Sequence, residues 1–519
     1  MSTVKRHWIL HPFLFAAFPV LSLFSVHIDR VQIADVYIPL GVVVATSFAL
    51  WLALWPLLRD PRKRALAITG LVAVSFAYGP AIDTVRRVLG STVTSGTLAL
   101  ILLAIVGLLG CACTLYGLRR TQRDLTRLTT FLNRTALLAI VIPAVLIGFT
   151  LARHAHHVTS GPETPVPGSG APSGEDLPNI YYIILDAYAR ADILKELYNY
   201  ENDGFLNELE RRGFYVARKS YSNYGLTYLS LSSSLNLDYL NNLARENPTA
   251  TDFFMSVQDQ CRKSKVAMVL QERGYTFLSF SSGYTATSGM DADVTLRPPV
   301  AFTEFDNALI KMTPVRTILG RMAGPSQYTI HRNRILFILN RLRHLWHYGR
   351  PLFVFAHVEA PHPPFVFDAD GSPVQSDRPF EVTDGQRFYE AGGTTEEYVD
   401  GYARQLTYLN RLVLQAVDGL LKHDPDSIII LQGDHGSRLR ATNRLATTDL
   451  KETVAILSAY YLPHRNVEAI LYETISPVNT FRVIFDQYFG GQYGLLPDRS
   501  FFCEWETPSN LVDVTDRLR

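Results

Sequence analysis

The sequence predicts an α/β protein in two parts. About five N-terminal transmembrane helices are followed by a mostly parallel sheet covered by helices on both faces. Three observations predict it. Five long apolar runs follow one another in the first third, a stretch rich in Pro, Gly and Ser comes next, and short apolar runs then alternate with amphipathic segments. The divisions fall at residues 1–157, 158–178 and 179–519.

The apolar runs cover residues 8–26, 31–58, 65–82, 92–118 and 128–151. Any one of them could be a buried core helix; five in succession make a membrane domain. Tyr78-Gly79-Pro80 cuts the third run short, and Asn133-Arg134 interrupts the fifth near its start. No small-residue cleavage site follows the first run, so it reads as an anchor. Lys5-Arg6, the basic cluster at 59–64, and Arg119, Arg120, Arg123 and Arg127 share one side if there are five crossings, whereas Arg86-Arg87 fall on the other. Basic loops mark the cytoplasmic side. The expectation is a multi-pass protein of the cell membrane with everything after His157 extracytoplasmic. Residues 159–178 contain only Val166 and Leu177 as large apolar side chains and read as a tether.

Net charge is +1, which gives no electrostatic case for nucleic acid. Four cysteines exclude a disulfide scaffold, and none has zinc-finger spacing. Cys111 and Cys113 fall in an apolar run, while Cys261 and Cys503 could pair in an oxidising compartment.

In the second part, strands are expected at 179–185, 275–280, 352–356, 427–431 and 454–462, with helices at 191–211, 396–421 and 479–490. Ligands in such sheets sit beyond the carboxyl ends of the strands. There the apolar run 428–431 leads through Gln432-Gly433 into Asp434-His435-Gly436, a carboxylate and an imidazole side by side. The same residues would also make a surface turn. Asp186 ends the first strand and by itself would be an ordinary helix N-cap. Thr227, preceded by Gly225 and followed by an apolar, small-residue helix, is either an N-cap or a nucleophile activated by a cation and the helix N-terminus. Ser230, Ser232, Ser233 and Ser234 read as packing and capping residues. The run 353–365 (FVFAHVEAPHPPF) is a strand and a stiff Pro-bounded loop presenting His362 to a substrate, with His357 a second ligand, a substrate contact or a core histidine. Asn223 and Arg438 could contact phosphate oxygens.

Taken in order, Asp186, Thr227, His362 and Asp434-His435 resemble the alkaline phosphatase superfamily, and within it the sulfatase-like, membrane-anchored branch of lipoteichoic acid synthases and phosphoethanolamine transferases. The resemblance spans roughly 179–490, and the N-terminal runs extend it to the whole chain. It implies one divalent metal (Mn, Mg or Zn) held by Asp186, Thr227, Asp434 and His435, with Thr227 as nucleophile and His362 on the transferred group. Two departures argue against sulfate ester cleavage. The C/S-x-P-x-R signature is replaced by Thr-Tyr-Leu-Ser-Leu, and Ala187 stands where sulfatases usually place a second Asp. The implied activity is transfer of a phospho-headgroup from a membrane phospholipid to a glycan or lipid acceptor. Hydrolysis on the same scaffold is the alternative, and a non-catalytic envelope binding protein the third.

Overall fold

The structure is a computed structural model, described for residues 8–26, 28, 33–89, 107, 110, 112–158, 177–298, 304–315, 327–349, 351–376, 378 and 380–518. The chain divides into two compact units, Met1–Gly161 with Phe302–Gly324, and Pro162–Ala301 with Pro325–Arg519.

In the first unit, four of the five expected apolar runs are helices: His11–Val26, Ile33–Ala53, Pro61–Leu89 and Thr126–Val158. Three of these contain a stretch long and apolar enough to cross a membrane. The first has 16 residues, about 24 Å at 1.5 Å per residue, which is short of a bilayer core. Of the 92–118 run, residues 107, 110 and 112–118 are described and helical; the rest lies outside the described residues, as does the 158–178 tether except for its ends. The polar break at Asn133 has a purpose. Its Oδ1 accepts from the Leu10 and His11 amides at 3.0 and 2.9 Å, capping the first helix in place of a local side chain. The expected interruption at Tyr78-Gly79-Pro80 does not occur, because the third helix continues through Pro80 to Leu89. A proline in such a helix is tolerated where neighbours pack against it. Gly79 has such a neighbour, since a Cβ there would sit 2.3 Å from the Lys311 carbonyl oxygen. Lys311 belongs to the Glu304–Met312 helix, an element the sequence reading did not anticipate. Its Phe305 and Leu309 share an apolar cluster with Val20, Phe24, Ile28 and Val36.

The second unit is built on a seven-stranded sheet of order β2-β7-β6-β1-β5-β3-β4. Its strands are β1 (Ile180–Leu185), β2 (Tyr215–Val216), β3 (Thr276–Phe280), β4 (Val294–Leu296), β5 (Leu352–Val358), β6 (Ile428–Gln432) and β7 (Ser458–Tyr461). The five strands from β6 to β4 are parallel, and β7 runs antiparallel to both β6 and β2. Both faces are covered: Tyr181, Ile183 and Leu185 of β1 enter one apolar core, and Ile180, Tyr182 and Ile184 the other. This two-sided burial is why β1, β5 and β6 read as unbroken apolar runs. The expected helix at 191–211 is two, Ala191–Tyr198 and Asp203–Arg211, because Asn199 turns left-handed at φ 48° and ends the first. The expected strand at 454–462 is shorter, since the Leu450–Val454 helix occupies its start. The two-residue β2 and three-residue β4 carried too little pattern to be foreseen. Cys261 and Cys503 are both free and belong to different apolar clusters.

Asn179 aligns the three central strands at their amino ends. Its Oδ1 accepts from Leu352 N at 2.7 Å, its Nδ2 donates to Asp424 at 2.7 Å, and its carbonyl accepts from Ile428 N at 2.8 Å. Asn179→Ala leaves a buried amide and carboxylate without these partners. We predict a loss of about 2–3 kcal/mol in unfolding free energy, measured by denaturant titration of the detergent-solubilised chain.

Candidate metal centre

The carboxyl ends of β1, β5 and β6 converge. Asp186 follows β1, and its amide donates to the Val358 carbonyl of β5 at 2.9 Å. Ala187 then adopts φ 61°, a left-handed conformation that costs a non-glycine residue about 1 kcal/mol. The turn is held at both ends. The Ala187 amide donates to Asp434 Oδ1 at 3.0 Å, and its carbonyl accepts from Tyr402 Oη at 2.7 Å. The residue that departs from the sulfatase pattern therefore links the two carboxylates through its backbone.

Asp186, His357 and Asp434 each place a ligand atom within 4.8 Å of the others, all buried. His435 Nε2 lies 3.4 Å from Asp186 Oδ1 and 3.6 Å from Asp434 Oδ2. Its Nδ1 faces the Gly436 carbonyl at 2.8 Å, an acceptor only, so Nδ1 is the donor there and Nε2 is the nitrogen turned to the carboxylates. The two oxygens it faces, Asp186 Oδ1 and Asp434 Oδ2, are buried without a hydrogen-bond donor among the described residues. Buried anionic oxygens without donors are costly. Two of them facing one imidazole nitrogen form a donor set for a divalent cation, so the residues present fit a metal. Burial and the Asp186 charge push the Asp434 carboxyl above its ordinary range. Burial opposes ionisation of Asp186 too, but His362, His357 and His435 hold it low.

His357, read from the sequence as a second ligand, a substrate contact or a core histidine, lies beside Asp186. Its Nε2 is 3.2 Å from Asp186 Oδ2 and its Nδ1 2.9 Å from Thr287 Oγ1. Burial works against a charge on this ring, yet the hydrogen bond to Asp186 and its charge raise the pKa. His357 thus serves Asp186 as a donor that orients its carboxylate. His362 is tied in by its amide, which donates to the Asp186 carbonyl at 3.1 Å. Its ring has two acceptors, the Pro363 carbonyl and Asp384 Oδ2 at 3.3 Å. Against its burial, Asp186 and Asp384 push its pKa up to about 10.

Thr227 is the first residue of the Thr227–Asn236 helix and not its N-cap; that position is Leu226, which offers no side-chain cap. The hydroxyl has no hydrogen-bond partner among the described residues, and the helix start is fastened to the same loops. The Ser222 amide donates to the Val454 carbonyl at 2.7 Å, and Arg438 Nη1 donates to the Gly225 carbonyl at 2.6 Å. Arg438 is buried and its Nε is 3.0 Å from Asp384. Asn223 goes elsewhere. Its amide donates to the Arg499 carbonyl and accepts from Val478 N, both at 2.8 Å, so it anchors the C-terminal segment. The helix serines are buried, as expected of packing residues.

Two carboxylates escaped the sequence reading. Asp384 precedes Gly385, and an Asp-Gly pair by itself reads as a turn. Glu452 lies in a short helix and is buried under the metal loop, where Ser437 Oγ, Leu439 N and Arg440 N all donate to it. Burial raises its pKa to about 7 against those donors. Gly436 is required beside it, because a Cβ would lie 1.9 Å from the Glu452 carbonyl oxygen. His331 was also unforeseen. It is buried 3.4 Å from Glu359 Oε2, and burial with the Arg334 charge lowers its pKa to about 3.

The family model described as Sulfatase matches residues 178–464. The chain belongs to the sulfatase family, within the alkaline phosphatase superfamily. No curated protein matches it. Among solved structures it is similar to the C-terminal periplasmic domain of EcEptC from Escherichia coli in complex with zinc, at 11% identity and a TM-score of 0.44, covering 67% of this chain and 96% of that one. It is also similar to lipooligosaccharide phosphoethanolamine transferase A from Neisseria meningitidis, at 12% identity and a TM-score of 0.39, over 94% and 95% of the two chains. A third is the phosphonate monoester hydrolase SpPMH from Silicibacter pomeroyi, at 16% identity and 0.37, over 61% and 74%.

Two predictions follow from this geometry. Glu452→Ala frees the loop after His435 without touching a proposed ligand, and Mn²⁺ affinity should fall about 10–100-fold by calorimetry. The His331 ring is protonated in the unfolded chain below about pH 6.5 and in the folded protein only below about 3. Folding therefore loses stability as pH falls through that window. His331→Asn should flatten the dependence by up to about 1.4 kcal/mol per pH unit there, read from unfolding curves between pH 6.5 and 4.

Proposed function

We propose that this protein is a membrane-bound, divalent-metal-dependent phosphotransferase. It moves a phospho-headgroup, of phosphoglycerol or phosphoethanolamine type, from a membrane phospholipid to an envelope glycan or lipid. The observation that carries this reading is the pair of buried carboxylate oxygens without donors, Asp186 Oδ1 and Asp434 Oδ2, facing His435 Nε2. Helices apolar enough to span a bilayer in the same chain favour a lipid donor over a soluble ester. The catalytic part would be extracytoplasmic, as the basic loops imply.

Asp186, Asp434 and His435, joined by Thr227, would hold the cation. When bound, it would lower the pKa of the Thr227 hydroxyl and offset charge on the phosphoryl oxygens. Thr227 Oγ attacks phosphorus, and the bond to the lipid alcohol breaks as the new phosphoester forms. The leaving alkoxide takes a proton from the His362 imidazolium. The acceptor hydroxyl then attacks the phosphothreonine, gives its proton to His362, and restores Thr227. Arg438 pairs with the equatorial oxygens. The second reading, a phosphodiesterase or sulfatase-like hydrolase, is favoured by the family match itself; water then discharges the same intermediate.

Incubation with headgroup-labelled phospholipid tests both. Label on an acceptor means transfer, and free labelled headgroup means hydrolysis. Thr227→Ala should reduce either product by more than about a thousandfold and abolish the adduct on the intact protein. A fully active Thr227→Ala would contradict the assignment.

A further inference from the structure

Asp384 is an aspartate at a helix N-cap position that does not cap. It precedes the Gly385–Glu390 helix with no side-chain hydrogen bond to it. Its carboxylate turns inwards instead, 3.3 Å from His362 Nε2 and 3.0 Å from Arg438 Nε. Each cation is also held from another side. His362 Nδ1 is taken by the Pro363 carbonyl, and Arg438 Nη1 by the Gly225 carbonyl two residues before Thr227. An incoming oxyanion that is to use His362 Nε2 and Arg438 Nε must therefore take the place of the Asp384 carboxylate.

We propose that Asp384 is a specificity-determining residue, a tethered carboxylate occupying the position where the substrate's anionic oxygen binds. The inference rests on the reading of His362 and Arg438 as the groups that hold the transferred phosphoryl. Physically it is a competition between two anions for the same two cations. The carboxylate carries a single charge spread over two oxygens, and the chain holds it at high local concentration. A singly charged ligand exchanges like for like and gains little. A phosphoryl group gains more charge as it approaches the transition state, and displaces the carboxylate more readily there than in the ground state. Asp384 thus weakens ground-state binding of singly charged esters, the proposed lipid phosphodiester among them, relative to the transition state. It also keeps two buried cations paired when no ligand is present.

Equilibrium binding of inorganic phosphate to the full-length chain, with and without Mn²⁺, tests this without requiring turnover. Asp384→Asn and Asp384→Ala should each bind phosphate about tenfold more tightly than wild type, and phosphate should raise their thermal midpoints more. Asp384→Glu, which keeps the charge, should bind phosphate as weakly as wild type. Unchanged or weaker phosphate binding by both neutral variants would overturn the proposal. So would equal tightening by Asp384→Glu, which would point to loop loosening and not to charge. Tighter phosphate binding without any lipid turnover would sink the phosphotransfer reading and leave this one standing. Lipid turnover through Thr227 with unchanged phosphate affinity would do the reverse.

Discussion

The second unit is organised around an electrostatic conflict. Asp186 and Asp434 end neighbouring parallel strands, and the register of β1 on β6 brings two carboxylates together out of water. Like charges at that range in a low-dielectric interior repel strongly. Histidines surround them: His357 donates to one oxygen of Asp186, and His435 turns its Nε2 to the two oxygens left over. These contacts orient the carboxylates but leave Asp186 Oδ1 and Asp434 Oδ2 without a hydrogen-bond donor among the described residues. A divalent cation would satisfy both oxygens, and the framework holds the ligands as though one belonged there.

That framework is rigid for identifiable reasons. The strand ends are set from below by the polar cluster of Gln432, Tyr182, Ser458 and Tyr460, so the turn into Asp434 starts from a fixed point. The segment 453–456 then acts as a common rail. Its carbonyls accept from Gly436 N at 2.9 Å, Ser222 N at 2.7 Å and Arg190 N at 3.1 Å, joining the metal loop, the Thr227 motif and the turn after β1. Arg438 repeats the connection through side chains. A change at any of these positions is felt at the ligands without touching them.

Much of this was legible in the sequence. Two-sided burial makes β1, β5 and β6 continuous apolar runs, and the residues that end them stand out because they are polar. Asp186, His362 and Asp434-His435 could be recognised on that ground. The departures have physical causes. The third apolar helix continues through Pro80 because a neighbouring backbone packs on Gly79, which no local pattern encodes. Asn223 sits in the right motif but its amide holds the C-terminal segment, a long-range partnership. Asp384 and Glu452 act on residues 22 to 54 and 12 to 15 positions away in the chain, and an Asp-Gly pair or a glutamate in a short helix carries no sign of that. His357 is one strand residue among apolar neighbours, and only the pairing of β5 with β1 shows that it meets Asp186.

The central claim is that Asp186 and Asp434 face each other because a divalent cation belongs between them, and one comparison tests it directly. Thermal midpoints of wild type and Asp434→Asn would be measured in chelator and again in saturating Mn²⁺. Without metal the variant should be the more stable, since a neutral amide relieves the repulsion. With metal the order should reverse, because only wild type gains the binding free energy. A variant less stable than wild type in both conditions, with no response of wild type to Mn²⁺ or Zn²⁺, would contradict the account.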